Sequence, residues 1–397
     1  MRLKRSKVAI VNSTPFCSNE GINYLAPSEL TSLSQWFSLF GETILLKPQV
    51  LTPAPPQGWK VIPSNIRVVS LCSTHNSRLH RKKSTIAVAS RVLGEIDLLY
   101  ARMPNYEGLW VFRIAKRMQI PMLLELHGDW ESAVMEEDCQ DLIHRMTRRF
   151  RARHADNAIR RMSNYASAIV AIGPRLEQKY VPPTKPFLVS TNHLLPGSYY
   201  CPRSDFNLKS PPQLLFVGDI QRRKGLLVLF SALRTMWASG HPFQMVLVGD
   251  GPLEPELRTF ARREGFSAQV TFAGRISHGP ELLKRFREAD VFILPSIAAE
   301  GVPRVIHEAM ALGCPVVASD VGSVAWQLEG GAGVIVRPGD ANALAHAVMT
   351  VIEDESLRCG LSERGYRRAL DFTIEHQKFT IEQFVTKTLD KKLTPEG

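Results

Sequence analysis

Residues 291–318 read VFILPSIAAEGVPRVIHEAMALGCPVVA. The apolar run Val291-Phe292-Ile293-Leu294 has the composition of a buried strand. After a short loop, Pro303 opens a helix, because its φ is preset and it has no amide hydrogen to leave unpaired. Val305, Ile306, Ala309, Met310 and Leu312 repeat at helical spacing, Gly313 ends the helix, and Pro315 to Ala318 is a second buried strand. Strand, loop, helix and strand in this order are the repeating unit of a parallel sheet.

Two glutamates bracket the start of that helix. Glu300 lies in the loop and Glu308 about a turn and a half into the helix. A helix N-terminus offers unpaired amides and the positive end of a dipole, which suits a phosphate. A carboxylate on either side could accept hydrogen bonds from hydroxyl groups. A phosphate between two polyols describes a sugar nucleotide. The same residues also suit a solvated loop glutamate and a helix glutamate favoured by the dipole, so local chemistry leaves both readings open.

The pattern continues on both sides. Strands are expected at Leu214–Val217, Met245–Val248, Val270–Phe272 and Val334–Val336. A helix over 225–239 carries apolar Leu226, Leu229, Phe230, Leu233 and Trp237, and Asp340 caps another with the stripe Leu344, Val348 and Val351. The first half alternates in the same way, with strands at 7–12, 42–47, 67–70, 97–100, 122–126, 168–172 and 187–190 and a helix over 108–118. The stretch PGSYYCPRSDFNLKSPPQ, 196–213, is Pro- and Ser-rich and weakly apolar, and marks a domain boundary. The fold class expected is α/β, with two Rossmann-like doubly wound domains, 1–200 and 201–372. Ligands would bind where the strands' carboxyl ends open into a central cleft. A C-terminal helical stretch, 373–397, follows.

Two glycine turns open the second domain: Gly218-Asp219-Ile220-Gln221-Arg222-Arg223-Lys224-Gly225 and Gly249-Asp250-Gly251-Pro252. Glycine lets a ligand approach the backbone, and Arg222, Arg223 and Lys224 could neutralise a diphosphate. Ordinary strand–helix turns with solvated cations would look the same. The second turn lacks the third glycine of a dinucleotide fingerprint, which counts against a nicotinamide enzyme. His127, in LELHGDW, ends a strongly apolar strand, with Asp129 beside it; a lone histidine there is either structural or catalytic.

The chain has 397 residues, 44% hydrophobic and 22% charged, enough for two cores. Its net charge of +11 is lopsided, with 26 Lys and Arg against 15 Asp and Glu in 1–200, and 23 against 23 in 201–397. The excess points to an anionic partner for the first half. It concentrates in Arg78–Lys83, which includes Arg81, Lys82 and Lys83, and in HRMTRRFRARHADNAIRR, 144–161, with seven arginines including Arg148, Arg149, Arg151 and Arg153. Leu142, Met146, Phe150, Ile159 and Met162 are expected as the buried stripe of that helix. The other faces suit anionic lipid headgroups or simply solvent. Nucleic acid fits poorly, because aromatic residues are not interleaved with the arginines.

No apolar run reaches the roughly 18 residues of a membrane span, and the start, MRLKRSKVAIVNST, reads as a first strand. Six cysteines without a CxxC pair suggest a reducing compartment, expected to be the cytoplasm, and no structural zinc. The absence of DxD or of any metal-ligand spacing leads to the expectation of no cofactor and no metal, with fixed cations and helix amides holding a diphosphate.

Taken together, VGDIQRRKG, VLVGDGP, FAGRISHGPEL, ADVFILPSIAAEGVPRVIHEAMALGCPVVASDVGS and GVIVRPGD resemble glycosyltransferase family four, retaining sugar-nucleotide transferases of GT-B fold. The first half matches more loosely, through KVAIVN, LYARMP and LELHGDW. The resemblance implies that Glu300 holds donor-sugar hydroxyls, Glu308 the ribose, and Lys224 the diphosphate. Gly218, Arg222, Arg223, Gly249, Gly251 and the Gly301-Val302-Pro303-Arg304 backbone would complete the donor site. His127 would sit by the anomeric centre, and the C-terminal helix would cross back to the first domain. It further implies a saccharide acceptor, lipid-linked as in exopolysaccharide or lipopolysaccharide assembly, at the inner face of the cytoplasmic membrane. Two positions depart from the family. Asp219 stands where many members have an arginine, for which Arg222 or Arg223 would substitute. Gly322-Ser323-Val324-Ala325-Trp326 lacks the usual acidic residue. Rival readings are a sugar-nucleotide epimerase or hydrolase of the same fold and a catalytically degenerate nucleotide-sugar-binding protein.

Overall fold

The computed structural model describes residues 3–136, 142–191, 195–298 and 300–389. The chain forms two compact units, Met1–Leu194 with Lys378–Gly397, and Leu195–Gln377.

The first unit is built on β1 (Lys7–Val11), β2 (Phe16–Asn19), β3 (Ile22–Leu25), β4 (Glu42–Val50), β5 (Lys60–Val61), β6 (Ile66–Ser73), β7 (Leu98–Met103), β8 (Met122–Leu126), β9 (Ala168–Ile172) and β10 (Phe187–Ser190). These pair in the order β10-β9-β8-β7-β1-β4-β2-β3-β5, with β6 also on β4. The central strands are parallel and almost wholly buried, so they read as continuous apolar runs. The exception is β2–β3–β5, an antiparallel extension. It turns at Glu20-Gly21, both at positive φ. Two consecutive left-handed residues match strand twist in a two-residue hairpin. No sequence pattern anticipated these three strands, because SNEGIN does not alternate apolar with polar.

Helix Ile374–Leu389 spans the boundary at 377/378. Its Ile381, Val385 and Leu389 are buried in the first unit's core with Leu33, Trp36 and Tyr100. The indole and phenol rings lie 4.5 Å apart.

One helix departs from expectation. Leu142–Tyr165 buries Ala152, Ala155, Ala158, Ile159 and Met162, but Met146 and Phe150 are 77% and 75% exposed. The buried stripe is therefore the small and C-terminal part of the face, and nothing in the helical period says that the first turns have a core to meet. The side chain of Leu142 lies outside the described residues.

The second unit has a parallel sheet in the order β13-β12-β11-β14-β15-β16, formed by β11 (Gln213–Val217), β12 (Gln244–Val248), β13 (Val270–Phe272), β14 (Val291–Leu294), β15 (Val316–Ser319) and β16 (Val334–Val336). Order reverses between β11 and β14, the switch point where such sheets bind ligands. Asp340 accepts from the Ala343 amide at 2.9 Å and caps helix Ala341–Glu353, whose Leu344, Val348 and Val351 are buried.

Candidate functional site

Five loops leave the carboxyl ends of β11 to β15, and their backbones touch. A Cβ on Gly225 would stand 1.8 Å from the Pro295 carbonyl oxygen, one on Gly249 1.9 Å from that of Gly218, and one on Gly322 1.6 Å from that of Glu300. Gly225 and Gly322 also sit in the left-handed region, at φ 69° and 60°. Glycine is required there for both conformation and approach. Gly218 donates its amide to Val248, Ile220 to Asp250, Ile297 to Arg223 and Ser323 to Gly301, so the loops are fastened to one another.

This packing brings the cations of the β11 loop to the glutamates of the β14 loop. Lys224 Nζ donates to Glu300 Oε1 at 2.7 Å, Ser296 Oγ donates to the same oxygen at 2.7 Å, and Arg223 Nη1 lies 3.9 Å away. Lys224 and Glu300 are largely buried. Helix Arg304–Ala311 begins just after, with Pro303 as its N-cap. The buried Gln327 donates to the Pro303 carbonyl at 2.9 Å and fixes that turn. Glu308 is buried, and His278 Nε2, from the loop after β13, stands 3.4 Å from its Oε1. The Glu308 carboxylate raises the His278 imidazole above its ordinary pKa. The adjacent His307 is different: it is buried in the core against Tyr200 OH, and burial pushes it down to about 3, so it is neutral there.

The residues expected to hold a donor are thus brought together in part. Lys224, Glu300 and Arg223 form one cluster, and Glu308, on helix Arg304–Ala311, forms a second with His278 from the β13 loop. Arg222 points elsewhere, to exposed Glu256 at 2.6 Å. The cation nearest Asp219 is neither Arg222 nor Arg223. It is Arg275, 3.6 Å from Asp219 and 2.8 Å from Asp250. That pairing holds the Asp250 carboxyl below its usual range. Arg275 and His278 were not picked out in the sequence, although both lie in FAGRISHGPEL. Arg304 is exposed and, among the described residues, has no carboxylate partner.

In the first unit the carboxyl ends of β1, β4, β7 and β8 hold a buried charged network. Lys47 Nζ is 3.1 Å from Glu29; Arg102 is 3.6 Å from Glu29 and donates to Glu125 at 2.7 Å. Tyr100 OH also donates to Glu125, and Asn12 bonds both Lys47 and Glu29. Two anions balance two cations. Burial brings Lys47 down to about 8, against the pull of Glu29. Burial opposes ionisation of Glu125, but Arg102 and His127 together hold it well below the usual carboxylate range. His127 caps the network: its Nε2 is 2.9 Å from Glu125 Oε2, with its ring part-exposed. Asp129 is an anchor for helix Trp130–Glu136. It takes bonds from Lys179 at 2.6 Å, Tyr180 at 2.7 Å and Ser132 at 2.7 Å, which lower it to about 2 in spite of burial.

Of the basic clusters, Arg81 is paired with buried Glu107 and so serves the packing of two helices. Lys82, Lys83, Arg149 and Arg153 are exposed, and Arg148 and Arg151 half-buried. No helix among the described residues is long and apolar enough to cross a membrane.

A parallel sheet with its switch point between β11 and β14, and glutamates, a lysine and a helix start converging there, form the kind of place at which such sheets bind ligands. Residues 203–368 match the sequence model of the family "Glycosyl transferases group 1". The amylovoran biosynthesis glycosyltransferase AmsK of Erwinia amylovora is 32% identical over 163 residues, 38% of this chain and 40% of the relative. The chain thus aligns with about two-fifths of that curated relative's length. Sucrose-phosphate synthase of Thermosynechococcus elongatus superposes with a TM-score of 0.70 at 19% identity, over 98% of this chain and 100% of the other. Anabaena HepE, solved with UDP, gives 0.68 at 20% identity over 97% and 100%; HepE is also solved with UDP-glucose. The fold is GT-B.

Proposed function

We propose that this chain moves a sugar from a nucleoside diphosphate sugar to an acceptor, with retention of anomeric configuration and without a metal ion. The observation that carries the reading is the convergence on Glu300 of Lys224, Ser296 and Arg223 beside a helix start. In this reading Lys224 turns from Glu300 to the diphosphate and stabilises the charge that grows on it as the sugar leaves. Glu300, released, accepts from sugar hydroxyls. Glu308 exchanges His278 for the ribose. No enzymic nucleophile is invoked; the departing phosphate takes the acceptor's proton.

The test begins with thermal shift against UDP-, GDP- and ADP-sugars without added metal, UDP-glucose first because HepE binds it. A donor at 100 times its Kd adds about 2.7 kcal/mol. Lys224→Ala and Glu308→Ala should then abolish transfer; unchanged transfer in both would refute the site. Turnover of donor without acceptor would favour an epimerase or hydrolase, and tight nucleotide binding without turnover a degenerate binding protein.

The acceptor is proposed to be a saccharide on a lipid carrier, reached from the cytoplasmic face of a membrane, in cell-surface polysaccharide synthesis. The exposed Met146 and Phe150 among arginines support this, since apolar side chains on a basic helix suit an anionic interface. Vesicles containing phosphatidylglycerol should bind the wild type and release the Arg149→Glu/Arg153→Glu variant; equal binding would discard the membrane reading.

A further inference from the structure

The first unit carries a groove that the donor reading does not use. Three helices line it: Arg78–Val92, Tyr106–Arg117 and Leu142–Tyr165. Two adjoining cavities, of about 410 and 420 Å³, share Leu109, Arg113 and His154. One runs along Lys116, Arg117 and Arg161; the other reaches Arg78 and Lys82. Leu109, Phe112 and Ala158 are buried and make an apolar floor.

The charge is one-sided. These three helices hold 15 Lys and Arg and only two carboxylates, Glu107 and Asp156. Both carboxylates are already paired, to Arg81 and Arg160, and neither lines a cavity. Among the described residues, Arg113, Lys116, Arg117 and Arg161 have no acidic partner, and all four are exposed. Unpaired cations crowded together repel one another, so the groove is complementary to an anion. The floor adds a second requirement, since an inorganic ion would leave it uncovered. A nucleic-acid base is a poor occupant: Trp110 is buried and Arg78 already covers the Tyr106 ring at 4.0 Å, which leaves the His154 imidazole but neither of these larger rings open for stacking.

We infer that this groove binds a lipid phosphate, its phosphate among Arg113, Lys116 and Arg161 and its first hydrocarbon units on Leu109 and Phe112. The inference rests on the acceptor reading, whose lipid the groove would hold, but not on the donor site, and binding without donor tests it separately from transfer. The probe is farnesyl phosphate below its aggregation concentration, titrated by calorimetry into the full chain without donor. The expected result is one site, at least tenfold tighter than inorganic phosphate, and weakened at least tenfold in Arg113→Glu/Lys116→Glu. Arg91→Glu, exposed at the end of the first helix and outside both cavities, should bind as the wild type does. Both variants alter exposed positions, and unchanged thermal unfolding verifies that they fold. Inorganic phosphate binding as tightly as farnesyl phosphate, or Arg91→Glu losing as much as the double variant, would overturn the assignment. So would an acidic oligosaccharide that outcompetes farnesyl phosphate. Dihexanoyl phosphatidylglycerol, titrated in parallel, separates the two sources: a tighter isoprenoid points to a carrier lipid, a tighter diacyl lipid to the bulk membrane.

Discussion

The two units carry their charges differently at the same place, the carboxyl ends of parallel strands. In the first, Glu29, Lys47, Arg102 and Glu125 are buried together and satisfy one another. In the second, Lys224, Arg223 and Glu300 meet across loops at the edge of solvent, with Glu308 beside an exposed histidine. A buried balanced network is costly to disturb, because any loss strands a charge in low dielectric. Lys224 and Glu300 are also largely buried, but exposed Arg223 stands beside them and can take up the charge when a ligand displaces one partner, and exchange is what a ligand needs. The first cluster is built to hold a shape and the second to be taken apart.

Four experiments would break or sharpen that contrast. The largest effect is expected from Glu125→Ala, which leaves Arg102 buried without its main partner; about 3–5 kcal/mol of stability should be lost, seen as a lower denaturant midpoint. A loss under about 1 kcal/mol, the scale of a surface pair, would end the distinction. Next comes Gly322→Ala. A left-handed backbone costs a non-glycine residue about 1–2 kcal/mol, and the added methyl meets the Glu300 carbonyl, so both stability and donor binding should fall. Retained donor affinity would mean that the loop contact does not shape the site. Glu300→Gln keeps the shape and leaves Lys224 an oxygen to bond, so stability should fall by less than the about 3–5 kcal/mol expected of Glu125→Ala, while sugar transfer drops about a hundredfold or more, on the scale of lost transition-state contacts. A large stability loss with normal transfer would reverse the assignment.

The smallest effect concerns pH. The His278 pKa is raised by Glu308, so their pairing contributes fully below the ordinary value of 6.5 and is lost as pH rises through the raised one. If Glu308 takes the ribose, the pairing competes with donor. Donor affinity should therefore improve from pH 6 to 8 in the wild type, and His278→Ala should flatten that slope. An unchanged slope would remove His278 from the site.

Much of this was legible in the sequence. The second unit's strands are buried on both faces, so each is an uninterrupted apolar run whose ends are visible; β13, β14 and β16 fall at the residues expected. Glu300, Glu308 and Lys224 lie in segments whose order is itself informative. Arg275 and His278 were hidden because their partners, Asp219, Asp250 and Glu308, are 25 to 56 positions away or on other loops. The network around Glu125 was hidden for the same reason. Its members come from three strands, the loop just after β1 and a helix, and Arg102 and Glu125 sit inside runs that read as plain core. Met146 and Phe150 failed in the opposite direction: helical period identifies a face, but not whether anything covers it.

The sequence by itself determined the alternation of strand and helix, the switch-point loop and helix with one glutamate each, and the confinement of excess charge to the first half. These depend on local period, turn chemistry and composition. Only the tertiary structure decided which cation meets which anion, that Arg275 rather than Arg222 stands by Asp219, and that the unpaired arginines line a groove with an apolar floor. Coulomb energy and burial depend on distance in space, and distance in space is set by how the strands are ordered in the sheet, not by position along the chain.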